Sequence, residues 1–143
     1  MKTFVAHLHI KQHCLQNKKP NFVVAVNGIV QNNTEITNID LIIFKMLLNF
    51  GPNTVSISLL NKDLNDTIID ANGKIIQDLA IQIDKFEVDD FNLSSYTKNS
   101  ALYTTDDGGV EKTYGFMHKN GQLTINIICP TFYSVRNAAV IKQ

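Results

Sequence analysis

Short runs of alternating apolar and polar residues, separated by turn-forming pairs, most constrain how this chain can fold. The two clearest runs are residues 4–10 and 54–59, in which every second side chain is apolar. A period of two places those side chains on one face of a strand, so each run predicts a half-buried β-strand. Asn-Gly pairs at 27–28 and 120–121 predict hairpin turns, whose central residues both take positive φ angles, and the pair at 72–73 predicts another tight turn.

The number and spacing of these runs predict the fold class. About eight to ten short strands indicate an all-β fold, an antiparallel β-sandwich or jelly roll. The segment Ile36–Leu48 fits either a strand or a short helix, and its β-branched and aromatic residues favour a strand. Residues 89–109 are expected to be mostly loop, and Tyr114–Met117 with Leu123–Ile128 to form a last hairpin. No linker or repeat divides the chain, so residues 1–143 are expected to form a single domain.

The charge balance argues against nucleic acid and membrane partners. Thirteen basic residues match thirteen acidic ones, whereas nucleic-acid-binding domains usually carry a basic patch. The most apolar stretch, Ile39–Leu48, is far shorter than the roughly 20 residues of a membrane-spanning helix. The first residues lack the apolar core of a signal peptide, so none is expected. Without a secretory signal, Cys14 and Cys129 are expected to be free thiols.

No arrangement of residues predicts an enzyme. The chain has no Gly-x-Ser-x-Gly motif, and neither cysteine is accompanied by a recognisable base motif. Residues 106–109, Asp-Asp-Gly-Gly, lack the lysine and the following helix of a phosphate-binding loop. Asp89 and Asp90 are adjacent, so on a strand their carboxylates would point to opposite faces. We therefore expect a non-catalytic protein.

Histidines and tyrosines each allow two interpretations. His7 and His9 share one face of the first strand and, with His13, could bind a metal ion, although a polar outer face is the simpler interpretation. The four tyrosines could form a stacking platform for sugar rings, but tyrosines more often close the ends of a core. They are Tyr96, Tyr103, Tyr114 and Tyr133.

Side-chain oxygens are concentrated between residues 61 and 78. Asn61-Lys-Asp-Leu-Asn-Asp-Thr67 is followed by Asp70 and Asp78. A hard cation such as Ca²⁺ is bound by about six to eight oxygens from carboxylates, amides and carbonyls. Asn and Asp also bond to their own backbone in turns, and the spacing does not match an EF-hand. A calcium site and ordinary turn chemistry therefore both remain open.

A series of motifs follows a fixed order along residues 20–133. They are Pro20-x-Phe22-x-Val24-x-Val26-Asn27-Gly28, Gly51-x-Asn53-x-Val55-x-Ile57, Asn61-Lys62, Asp66-Thr67, Asp70-x-x-Gly73, Asp78, Ile81-x-Ile83, Phe86-x-Val88-Asp89-Asp90, Gly121-x-Leu123-x-Ile125 and Pro130-x-Phe132-Tyr133. This order resembles small β-sandwich modules in virion proteins of tailed phages. The resemblance implies a structural or accessory virion protein, either a capsid decoration protein or a tail or fibre module. It also implies other virion proteins and further copies of the chain as partners, and a virion location after assembly in the host cytoplasm.

The same residues more weakly resemble calcium-dependent xylan-binding modules. The shared features are the P-x-F-x-V-x-V-x-G strand, the G-x-N-x-V strand and an Asn/Asp-rich loop. This second resemblance implies, as an alternative, a calcium-dependent carbohydrate-binding module with a cell-surface glycan as its partner. Asn61, Asp66 and Asp78 match the calcium ligands of those modules. The chain departs from the pattern at residues 70–74, where an additional turn lengthens the loop.

Overall fold

The computed structural model describes residues 3–32, 35–38, 40–112 and 115–130. In chain order its strands are β1 (Thr3–His13), β2 (Phe22–Val26), β3 (Ile29–Gln31), β4 (Glu35–Asn38), β5 (Leu41–Asn49), β6 (Gly51–Leu59), β7 (Thr67–Ile69), β8 (Ile75–Asp78), β9 (Ala80–Val88), β10 (Phe91–Asn92), β11 (Leu102–Thr105), β12 (Val110–Glu111), β13 (Phe116–Met117) and β14 (Gly121–Cys129). A 3₁₀ turn (Leu64–Asp66) and a helix, α1 (Ser94–Ser100), complete the elements.

Antiparallel pairing joins the strands into two six-stranded sheets and a separate hairpin. The first sheet has the order β10-β9-β1-β5-β4, with β13 beside the other end of β9. The second sheet has the order β12-β11-β14-β6-β2-β3, and β7 pairs with β8 in the hairpin. This arrangement confirms the predicted all-β antiparallel sandwich. Fourteen strands are described rather than eight to ten, because several contain only two or three residues and show no alternation in the sequence.

The apolar half of each alternating run points into the space between the two sheets. Every second residue from Phe4 to Ile10 on β1 is buried, and the same holds from Val55 to Leu59 on β6. Buried side chains of β9 and β14 belong to the same cluster. Burying one such side chain contributes about 1.5–3 kcal/mol, so this cluster is the main source of stability.

Of the three Asn-Gly pairs, at 27–28, 72–73 and 120–121, only the first forms the predicted turn with positive φ at both residues. At the β2–β3 turn Asn27 and Gly28 have φ angles of 51° and 82°, as a turn with two positive φ angles requires. Gly73 has a φ of 81° in the β7–β8 turn. The ambiguous segment Ile36–Leu48 overlaps β4 and β5, so the strand interpretation is confirmed.

Two local predictions are wrong. Phe116 and Met117 pair with β9 in the first sheet, whereas β14 pairs with β6 and β11 in the second, so they form no hairpin together. Residues 89–109 contain α1 and β11 rather than mostly loop.

Helix α1 has seven residues, and no helix of the described chain is long and apolar enough to cross a membrane. Tyr114, Phe132 and Tyr133 lie outside the described residues.

Candidate functional site

Several loops meet at one end of the sandwich because of the strand register in the second sheet. Leu59, the last residue of β6, pairs with Phe22 at the start of β2 and with Gly121 at the start of β14. Gly121 also pairs with Thr105, the last residue of β11. The segments that follow β6 and β11 and the segment that precedes β14 therefore leave the sheet side by side.

These segments surround an open cleft of about 390 Å³, the first cleft. Its walls come from Lys62, Asp63 and Thr67, from residues 105–107 and from residues 118–120. The volume lies within the range of about 300–1,000 Å³ that is usual for small-molecule sites. Every side chain in these walls carries a hydrogen-bonding group, so the first cleft suits a hydrophilic ligand.

Asn120 joins two of the walls. Its side-chain amide accepts a hydrogen bond from the Lys62 backbone N–H (2.7 Å) and donates one to the Lys62 carbonyl (2.8 Å). Its backbone carbonyl accepts a hydrogen bond from the Asp106 N–H (3.0 Å). The relative positions of all three segments are therefore set by direct hydrogen bonds.

Tyr103 supports the 118–120 segment from the core. Its ring is fully buried, and its hydroxyl donates a hydrogen bond to the Lys119 carbonyl and accepts one from the Lys119 N–H at 3.0 Å. Burial raises the pKa of the Tyr103 phenol to about 12, because the phenolate would lose its hydration. This segment is consequently anchored at its backbone while its side chains face the first cleft.

Asp107 stabilises the turn between β11 and β12. Its carboxylate accepts hydrogen bonds from the Thr105 hydroxyl and from the Gly109 N–H at 3.1 Å. These bonds favour the charged form and lower the pKa of Asp107, with Thr105 as the main cause. In the described chain no hydrogen bond or ion pair engages the carboxylate of the neighbouring Asp106, which is exposed in the wall of the first cleft.

The cations of the first cleft are already paired with carboxylates. Lys62 Nζ forms an ion pair with Asp78, in which both side chains are largely buried. Lys119 Nζ lies 3.2 Å from a Glu111 carboxylate oxygen, and His118 Nε2 lies 3.8 Å from the other. The first cleft therefore offers little uncompensated positive charge.

The three residues that resemble calcium ligands lie in this region, each with protein partners. The Asn61 side chain accepts a hydrogen bond from the Asn21 N–H (2.7 Å) and donates one to the Lys19 carbonyl (2.9 Å). Asp66 is buried and accepts from Lys18 Nζ (2.5 Å), which lowers the pKa of Asp66 and raises that of Lys18.

Asp78 completes that set, and its environment resembles that of Asp66. One of its oxygens accepts hydrogen bonds from Lys62 Nζ and from the Thr67 hydroxyl at 2.9 Å. Ammonium groups therefore hold the positions beside Asp66 and Asp78 that a cation would take, and this contact pattern does not fit a calcium ion. The calcium site itself stays a prediction. Asp70 bonds to the backbone N–H groups of Asn72 and Lys74, which is ordinary turn chemistry.

The histidines, tyrosines and cysteines considered in the sequence do not by themselves form a second site among the described residues. Among the described residues no group of three or more His, Cys, Asp or Glu side chains could hold a metal ion, so His7, His9 and His13 do not form one. Tyr103 is in the core and Tyr96 packs against it, which matches the interpretation that tyrosines close the core. Cys14 and Cys129 are free, and burial raises the pKa of the Cys129 thiol to about 11.

Sequence reasoning missed most of the walls of the first cleft. It selected the segment 61–78 for its oxygens, but it rejected residues 106–109 as a phosphate-binding loop and predicted only a turn at 120–121. Nothing local in the sequence indicates that these turns meet, because their proximity depends on the pairing of β14 with both β6 and β11.

Comparison with known proteins supports the β-sandwich fold but does not assign the chain to a protein family. No family model matches the chain, and no curated protein matches it. A structure described as vCBM60 in complex with galactobiose is similar, with a TM-score of 0.51 and 16% identity over 86% of this chain and 99% of that one. A second similar structure is a selenomethionine form of vCBM60, whose description concerns an evolutionary link between two families of calcium-dependent carbohydrate binding modules. It has a TM-score of 0.48 and 12% identity over 85% of this chain and 88% of that one. Neither is described as a virion protein, so the virion role stays a prediction.

Proposed function

We propose that this protein is a non-catalytic carbohydrate-binding module whose ligand, a neutral glycan, binds in the first cleft. The observation that carries the proposal is the composition of that cleft: an open site walled by carboxylate, hydroxyl, amide and imidazole groups, with its cations paired internally. The shared fold of vCBM60, which is described in complex with galactobiose, supports the same ligand class.

The wall groups complement the hydroxyl groups of a sugar. Each sugar hydroxyl donates one hydrogen bond and accepts others, so it is best bound between an acceptor and a donor. Asp106 supplies an exposed carboxylate acceptor, and His118 and Lys119 supply donors across the same cleft. Hydrogen bonds to charged groups contribute about 1.5–3 kcal/mol each, so two or three of them suffice for a weak, specific complex.

Charge favours a neutral sugar over an anionic one. The first cleft is lined by three carboxylates, Asp63, Asp106 and Asp107, whereas Lys62 and Lys119 are held by Asp78 and Glu111. A phosphate or uronic acid would meet these carboxylates and would have to compete for the paired lysines. A neutral polyol accepts and donates hydrogen bonds without breaking those ion pairs.

Affinity electrophoresis tests the proposal. The wild-type chain is run through native gels containing soluble galactan, xylan or mixed-linkage glucan, and isothermal titration calorimetry measures the affinity for whichever polysaccharide retards it. We expect retardation by at least one polysaccharide and about a tenfold loss of affinity in Asp106→Ala, because a charged acceptor is removed from the cleft.

Asp84→Ala is the matched control, since Asp84 is also an exposed carboxylate but does not line the first cleft. The control should bind like the wild type. If Asp106→Ala and Asp84→Ala were both retarded as strongly as the wild type, the glycan would bind outside the first cleft. If no neutral polysaccharide retarded the wild type, the proposed function would be refuted.

A further inference from the structure

A second cleft, of about 370 Å³, opens at the same end of the molecule, on the side of the first sheet. It is lined by the end of β1 at His13, by the end of the β7–β8 hairpin at Gln77 and Asp78, and by Phe116 on β13. The register explains the position: His13 pairs with Ala80 at the start of β9, and Phe116 pairs with Gln82 close by.

The two clefts share a wall through two independent contacts. Asp78 lines the second cleft, and its carboxylate bonds to Lys62 and Thr67, which both line the first. Phe116 lines the second cleft and its ring stacks on that of His118, which lines the first, with centroids 6.1 Å apart and an interplanar angle of 27°. The clefts are therefore neighbours, divided by a ridge of directly contacting side chains.

Three rings form a row along this ridge. His13 also contacts Phe116, with ring centroids 5.6 Å apart and planes inclined at 58°. His13 Nε2 hydrogen-bonds to the Gln82 side-chain oxygen at 2.7 Å, which fixes the orientation of that imidazole. Phe116 is partly exposed, and Met117, next to it, is buried in the core. The row thus contributes aromatic rings to the walls of both clefts, where they adjoin the ridge.

We infer that the two clefts form one trough for an internal stretch of a glycan chain, with a sugar ring stacked on Phe116 between them. The inference rests on the proposed function and specifies its ligand. The face of an aromatic ring is electron-rich, so it attracts the weakly positive C–H groups on the flat face of a pyranose. Sugar hydroxyls, which lie around the rim of the ring, then reach the polar walls on either side.

The geometry distinguishes a chain from a single sugar. A monosaccharide occupies one cleft and meets only the rings that line it, whereas a chain crossing the ridge uses both clefts and all three rings. A stacked nucleotide is disfavoured in the same trough, because its phosphates would lie among Asp40, Asp78 and Asp106.

Calorimetry with oligosaccharides of increasing length tests the inference. They are prepared from the polysaccharide that retards the wild type, from the monosaccharide to the hexasaccharide. We expect affinity to rise with length until both clefts are filled, and Phe116→Ala to lower the affinity for the hexasaccharide about fivefold to tenfold. Phe116→Tyr keeps the ring and should bind like the wild type. Phe50→Ala, which removes an exposed ring that lines neither cleft, is the matched control.

Histidine NMR gives a second measurement that needs no variant. The chain has four histidines, and only His13 and His118 line the clefts. Their imidazole C–H resonances should shift with the hexasaccharide while those of His7 and His9 stay in place.

The outcomes separate the two proposals. Equal affinity for the monosaccharide and the hexasaccharide, with Phe116→Ala binding like Phe50→Ala and no shift at His13, overturns the trough and leaves glycan binding in the first cleft intact. A wild type that binds no polysaccharide overturns the proposed function itself, and the trough with it.

Discussion

At the scale of single residues, amide side chains organise the backbone at both ends of the sandwich. Asn53 is buried, and its amide bonds to the Asn49 N–H and to the carbonyls of Asn49 and Gly51. Asn61 and Asn120 make the same kind of two-way bond to loops distant in sequence. The richness of the chain in Asn is visible in the sequence, but the partners of these amides are not, because most lie on other elements.

Asn120→Ala should lower the free energy of unfolding by about 1–2 kcal/mol, because it removes two hydrogen bonds that join Lys62 to the β13–β14 segment. Urea denaturation measures the change. Asn99→Ala removes one exposed bond within α1 and should cost under about 0.5 kcal/mol. Equal losses in the two variants would mean that Asn120 does not hold the walls of the first cleft together.

Tyr103 should ionise later than an exposed tyrosine. Its folded pKa of about 12 lies above the ordinary value of 10.0, so the unfolded chain loses this proton first. The contribution of the neutral phenol to stability is complete below pH 10 and is lost as the pH rises toward 12. Ultraviolet titration of the folded protein should show a late step near pH 12 that is absent in Tyr103→Phe. Without such a step, the hydroxyl would not be buried against Lys119.

Lys18 and Lys62 form ion pairs with two of the predicted calcium ligands. Their ammonium groups lie against Asp66 and Asp78, so we expect the melting temperature of the wild type to be the same in calcium and in EDTA. The Lys18→Met/Lys62→Met variant leaves these carboxylates without cations, and should melt lower in EDTA and regain stability in calcium. A calcium-dependent rise in the wild type would instead support the predicted ligands Asn61, Asp66 and Asp78.

At the scale of elements, alternation and turn pairs predicted the long strands, the β2–β3 hairpin and the tight turn between β7 and β8, because these depend on neighbours in sequence. Partners of short strands were not predictable in this way. β13 has two residues and lies in the first sheet, so no local pattern distinguishes it from a partner of β14. Helix α1 was missed because Ser94–Ser100 is polar and short, with no apolar periodicity.

Gly121 shows how closely β14 approaches its neighbour. A Cβ atom at this position would lie 2.3 Å from the Thr104 carbonyl oxygen and 2.8 Å from the Thr105 Cα. Both are backbone atoms, so Gly121→Ala should force β14 away from β11 and destabilise the protein by more than about 1 kcal/mol, measured by thermal or urea denaturation. Gly28→Ala meets no atom within 4 Å and reports the cost of a positive φ alone. A smaller loss for Gly121→Ala than for Gly28→Ala would contradict this close approach.

At the scale of the whole molecule, the sandwich brings together loops that are far apart in sequence. In the second sheet β6 and β11 end where β14 begins, and in the first sheet β1 ends where β9 begins. The fold class was predictable because the long strands alternate buried and exposed residues in the sequence itself. The site was only partly predictable: the segment 61–78 was selected for its oxygens, whereas Phe116 and the residues 105–107 and 118–120 join it through strand pairing that the sequence does not display.

The most direct test of the account is a ¹H–¹⁵N NMR titration of the wild type with an oligosaccharide from a polysaccharide that it binds. The account predicts that the perturbed amides cluster at residues 62–67, 105–107 and 116–120, which surround the shared ridge of the two clefts. Perturbations on the outer faces of the sheets, or at the β2–β3 turn at the opposite end, with these segments unchanged, would contradict the central claim that the glycan binds at this end of the sandwich.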